Sequence, residues 1–178
     1  MDSIAKAILD DDVEFNQKTT RQKALAIASY LREHELLGLR ETRSYHDLQN
    51  SFIGYALHES PHNALPLISA AIYCGITQRL GVNANPLALP FHVFVMVQPA
   101  TGLDIDDIEL TSLPRGDENI YLNPFDSAME VDIAELNSRM RSVGAPSIDL
   151  DTDLRPTPIN ELVLRTGRNI LTLSLIHI

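Results

Sequence analysis

The chain alternates between stretches whose apolar residues recur at helical spacing and stretches where they run almost unbroken. Ala24, Ile27, Ala28 and Leu31 follow a Thr19 and Gln22 pair that fits a capping box, and Gly38 stops the pattern. This spacing predicts a surface helix with one buried stripe. A shorter helix is predicted over 47–57, with Leu48, Phe52 and Tyr55 inward. The segment from Pro61 to Pro66 breaks the chain. From Leu67 to Leu80 the sequence then reads LISAAIYCGITQRL, apolar or small at nearly every position. That is the pattern of a helix packed on most of its circumference, and it is the predicted centre of the domain.

Beyond Gly81, the run from Phe91 to Val97 is apolar on both faces apart from His92, which predicts a central strand covered on both sides. Leu103 to Leu110 alternates weakly and carries DIDDIE, suiting an edge strand or loop. A turn over 114–119 leads to a short strand, Ile120 to Leu122, ended by Asn123 and Pro124. Asp132 and Glu135 can cap a helix carrying Ile133, Leu136 and Met140, and a polar loop follows over 144–156. Thr157 and Pro158 then form an N-cap and first-turn pair before Ile159, Leu162, Val163, Thr166 and Ile170 on one helical face. Residues 1–18 read as a tail or linker, and no internal repeat interrupts the order.

Composition narrows this picture. At 178 residues and 44% hydrophobic, the chain can bury one sizeable core. Few aromatics and no tryptophan favour helices packed around a small sheet, a mixed α and β domain. The formal charge of -10 repels phosphate backbones, and Arg139 with Arg141 reads as a solvated helix face, so no nucleic-acid role is expected of this segment. A lone cysteine, Cys74, excludes an internal disulfide and a multi-cysteine zinc site. Met1 to Val13 carries an acidic run where a secretory leader needs an apolar core, and no apolar stretch approaches the ~20 residues of a bilayer span. The expectation is a cytoplasmic or nuclear protein that does not enter a membrane. The closing LSLIHI, residues 173–178, resembles the translation of a transposase end sequence used as a sequencing adapter, which points to an artefactual end on a truncated chain.

Candidate chemistry is sparse. HESPH, from His58 to His62, matches the zinc-protease pattern formally, but Pro61 breaks the continuous helix that would put both imidazoles on one face. Cys74 precedes a histidine and an asparagine in the order of a papain-like set, yet it lies roughly two turns, 11–12 Å, inside a buried helix, far from the N-terminus that favours a thiolate. A buried structural cysteine is the better reading. His92 stands alone in an apolar strand and must find a hydrogen-bond partner, whether as a satisfied core residue or as part of a site.

NALPLISAAIYCGITQRLGVNANPLALPFHVFVMV, with YLNPFDSAMEV, the earlier YHDLQNSFIGYAL and the later ELVLRTGRNIL, resembles the SirB-type transglutaminase-like domain of fungal F-box proteins. The likeness runs from about Thr19 to Leu171, so the domain is set at 19–172. It implies an α+β, papain-like core in which a central helix packs on a small antiparallel sheet. Relatives of this type carry an F-box before the domain and a YccV-like hemimethylated-DNA-binding domain after it, and neither is recognisable here. In catalytic members the nucleophilic cysteine starts the central helix, and counting back from Gly81 puts Pro66 there. The family histidine falls on His92, and the third member, an aspartate before Pro-Phe, falls on Asn123. The resemblance thus implies a degenerate triad of Pro66, His92 and Asn123. It further implies a non-catalytic interaction module contributing to substrate recognition for ubiquitination, with protein partners and with Skp1 and a cullin reached only through the missing F-box. No cofactor or metal is expected. The rival is a thiol hydrolase or transglutaminase-like enzyme using Cys74 with His92 and Asn123, distinguishable by whether thiol and imidazole meet.

Overall fold

In the computed structural model, which describes residues 1–90, 92–111, 118–146 and 154–176, the chain begins with helices α1 (Asp2–Asp11), α2 (Thr20–Glu33), α3 (Ile53–His58) and α4 (Pro66–Arg79). Strands β1 (Asn83–Leu89), β2 (His92–Gln98), β3 (Ile120–Leu122) and β4 (Glu130–Val131) follow, then α5 (Ile133–Ser142) and α6 (Ile159–Ile176). One-turn 3-10 segments lie at Phe15–Gln17, Thr42–His46 and Leu48–Ser51.

The apolar stretch after Pro66 becomes α4, whose Ile68, Ala70, Ile72, Tyr73 and Ile76 are all buried. Each buried isoleucine among them contributes about 1.5–3 kcal/mol when taken from water. The Tyr73 hydroxyl, completely enclosed, donates to the Ala24 carbonyl of α2 at 2.8 Å and so satisfies the only polar atom that its burial would strand. Gly81, at φ +74°, ends the run where a side chain would be strained.

All strand pairs are antiparallel and the order is β1-β2-β3-β4. Val93, Val95 and Val97 of β2 face α4 and α2 together with Ile120 and Leu122. Phe94 and Met96 alternate to the other face, against Leu87, Leu89, Tyr121 and the α5 residues Leu136 and Met140. The central strand is therefore covered on both sides, as its apolar run requires.

Several elements differ from the sequence reading. Residues 1–18, expected as a tail or linker, form α1 and a 3-10 turn whose Ala5, Ile8 and Phe15 are buried. The helical spacing of Ile4 and Ile8 was hidden beside the acidic run at 10–12. β1 was not expected at all, because Asn83, Asn85 and Pro86 are poor strand formers. It is an edge strand, where a proline is tolerated. The outer edge of β1 is held by Thr157, whose N–H donates to the Pro86 carbonyl and whose hydroxyl accepts from the Ala88 N–H at 2.7 Å. The Thr157 hydroxyl therefore hooks α6 to the sheet instead of capping the helix.

The helix expected over 47–57 breaks at Phe52 into a 3-10 turn and α3, with Phe52 and Tyr55 exposed and Ala56 inward. In α6, Leu162 and Leu173 are buried, while Ile159 and Val163 face outward. The segment 103–110 is a loop with one isolated bridge, Leu103 to Glu109. It pins α2: Arg21 pairs with Asp106 and Glu130, and the Asp107 carboxylate accepts from the Thr20 N–H and hydroxyl. Most of the turn expected over 114–119, and residues 147–153 of the loop expected over 144–156, lie outside the described residues. Among the described residues no helix is long and apolar enough to cross a membrane.

Candidate functional site

Helix α4 and strand β2 both begin at one end of the sheet. Pro66 is the first residue of α4, a position suited to proline because the missing N–H would have no intrahelical partner. Pro66, Leu67 and His92 line one cavity of about 510 Å³, whose far wall carries Arg165 and Arg168 of α6. The ring of His92 lies on the strand face of Phe94, 4.7 Å from it between centroids, and 6.0 Å from Phe125.

The sheet register explains its partner. Val95 opposes Leu122, so the residue after β3, Asn123, comes beside Phe94 and diagonal to His92. His92 Nε2 and Asn123 Oδ1 are 2.9 Å apart, and Asn123 is buried. Asn123 Nδ2 donates to Asp126 Oδ2 at 2.7 Å. A carboxylate can only accept, so the amide nitrogen must face Asp126 and its oxygen must face the imidazole. That orientation makes His92 Nε2 the donor and leaves Nδ1 as the basic nitrogen. Arg139 of α5 holds Asp126 in turn at 3.4 Å, pairs with Glu135 at 3.0 Å and lies 5.7 Å over the Phe94 ring.

Burial holds the His92 imidazole below its ordinary pKa. The Asn123 bond and the Asp126 charge oppose that shift, and the guanidiniums of Arg139 and Arg165 reinforce it. Near neutral pH the ring is therefore an oriented neutral base.

No thiol lines this cavity among the described residues. Cys74 is partly buried against the core and borders a separate groove of about 640 Å³ with Gly75, Gln78 and Val82. Burial pushes its thiol well above the usual range, the opposite of what a nucleophile needs. The structure thus brings Pro66, His92 and Asn123 to one end of the sheet and leaves Cys74 elsewhere. HESPH is likewise dispersed: α3 ends at His58, and His62, beyond Pro61, bonds through Nδ1 with the Ala56 carbonyl at 2.9 Å.

Sequence reasoning missed Asp126, Arg139, Arg165 and Arg168. Asp126 lies three residues past Asn123 in a turn closed by its own N–H to the Asn123 carbonyl at 3.0 Å, a local signal that the NPFD stretch carries. Arg139, read as part of a solvated face, has no sequence-local cue, because Asp126 and Phe94 reach it only through folding.

Compared with known proteins, residues 1–168 match a family model described as the transglutaminase-like superfamily. No curated protein and no solved structure matches the chain.

Proposed function

Given that the chain belongs to the transglutaminase-like superfamily, we propose that it is a non-catalytic member, an interaction module that keeps the cleft at the start of α4 as a binding surface. The observation that carries this reading is the proline that opens α4 on the wall shared with His92. In the superfamily pattern that position supplies the attacking sulfur, and a cyclic imino acid has no nucleophile to supply. His92 keeps its orientation through Asn123, but the neutral amide gives an imidazolium no compensating charge. Pro66, His92 and Asn123 are vestigial triad positions in this reading.

The competing enzyme would require Cys74 beside His92. Cys74 borders a different groove, and burial disfavours its thiolate. A nucleophile and base must come within about 3 Å of each other, which the two turns of α4 between Pro66 and Cys74 oppose. The resemblance to F-box proteins supplies the biological setting: the module contributes to recognising a protein for ubiquitination, and Skp1 and a cullin join through an F-box outside this chain. A peptide-ester and transamidation assay with and without iodoacetamide tests the reading. No iodoacetamide-sensitive turnover is expected, and turnover abolished by alkylation of Cys74 would overturn it.

A further inference from the structure

The cavity beside Pro66 carries a local excess of positive charge. The chain carries a formal charge of -10, yet the formally charged groups on this wall are two guanidiniums, Arg165 and Arg168, against the single carboxylate of Glu161. Arg165 and Arg168 are one turn apart on α6 and share a face. Arg165 is half-buried, its Nη1 donating to the Leu89 carbonyl at 2.8 Å. Neither guanidinium has an ion-pair partner among the described residues, whereas Arg21, Arg40, Arg43, Arg79 and Arg139 all do. Burial lowers the Arg165 pKa, and the nearby Glu161 carboxylate and Tyr45 oppose that shift without closing an ion pair.

The opposite wall offers further donors. The first turn of α4 has no side-chain cap, and the N–H of Leu67, a residue of the cavity lining, has no backbone acceptor among the described residues. Between these polar ends lie Leu65, Pro66 and Val93, an apolar floor.

We infer that this cavity binds a peptide carboxylate flanked by an apolar side chain, the carboxylate meeting Arg165 and Arg168 and the side chain filling the floor between α4 and α6. The inference deepens the proposed interaction role by naming the ligand class of the same cleft. A monovalent anion fits better than a phosphate dianion, because two guanidiniums are already offset by Glu161 and the surrounding surface is acidic. His92, neutral and lacking a donor partner at Nδ1 among the described residues, can accept a peptide N–H at the rim.

The test is an NMR titration of the full chain with N-acetyl-leucine, N-acetyl-leucinamide and inorganic phosphate. The acid is expected to produce saturable shifts at the Leu67 amide and the Arg165 side chain, and the amide to produce none there. Arg168→Gln, at an exposed position that leaves the fold intact, should weaken the acid about tenfold, the loss of one charge-assisted hydrogen bond. Arg165→Lys keeps the charge and should weaken it less than Arg165→Gln. Equal shifts from acid and amide, no saturable shift, or unchanged affinity in Arg168→Gln would overturn the inference. Tighter binding of phosphate than of the acid would replace the carboxylate by a phosphate ligand and overturn it too. None of these results bears on thiol turnover, so the non-catalytic reading stands or falls separately.

Discussion

The imidazole of His92 and the amide of Asn123 are locked in one relative orientation by a third group, the Asp126 carboxylate, which dictates which end of the amide faces the ring. The same contact makes this site suited to asparagine and hostile to the aspartate of a catalytic triad. An aspartate at 123 would set two carboxylates at the 2.7 Å now spanned by a hydrogen bond. Asn123→Asp is therefore expected to destabilise the domain by about 2–4 kcal/mol near neutral pH, through repulsion and a lost buried bond. Adding Asp126→Asn should recover most of the loss, which paired urea denaturation curves would reveal.

His92 also predicts an acid-sensitive stability. Burial sets its folded pKa below the ordinary value of 6.5. Between those two values the unfolded chain binds the proton and the folded chain does not, so stability falls as pH drops through that window. Above about pH 6.5 the contribution is fully present. His92→Gln should flatten this part of the profile. An unchanged slope just below about pH 6.5 would show that the imidazole titrates freely in the folded state.

Thiol reactivity separates the two helix positions. Native Cys74 is expected to resist alkylation at neutral pH and to react fully once the chain is unfolded, because burial disfavours its thiolate. A Pro66→Cys thiol, at the N-terminus of α4 on the wall of the His92 cavity, should instead have a pKa below the ~8.5 of a free cysteine. Rates of iodoacetamide labelling against pH would expose either failure.

Helix α1 is part of the core. Ile8, 2% exposed, packs in the cluster that includes α4. Ile8→Ala should cost about 2–4 kcal/mol by leaving a cavity that the surrounding side chains fill only in part. A value under ~0.5 kcal/mol, typical of surface changes, would return the segment to the status of a tail.

Tyr73→Phe removes the hydroxyl that reaches the Ala24 carbonyl in a fully buried contact between α4 and α2. A loss of about 1–2 kcal/mol is expected, with the midpoint of denaturation shifted and its slope unchanged.

Much of the architecture was legible in local pattern. The apolar stretch after Pro66, the stripe of α2, the doubly apolar β2 and the capped α5 each announce their own buried face, because an element's periodicity is a property of its residues alone. His92 was conspicuous for the same reason, as a polar group in an apolar run, and the proline at the head of α4 followed from counting along one helix.

What only the tertiary structure decided are the relationships between elements. β1 exists because β2 and Thr157 supply partners on both of its edges, which outweighs the poor strand propensity of its asparagines and proline. Asp126 and Arg139 join His92 through sheet register and helix docking, separations along the chain that no local pattern records. The guanidiniums of α6 face the first turn of α4 across a cavity because Thr157 and Arg165 fasten that helix to β1. Hydrophobic periodicity specifies which face turns inward, whereas the polar groups that meet there are chosen by nonlocal packing.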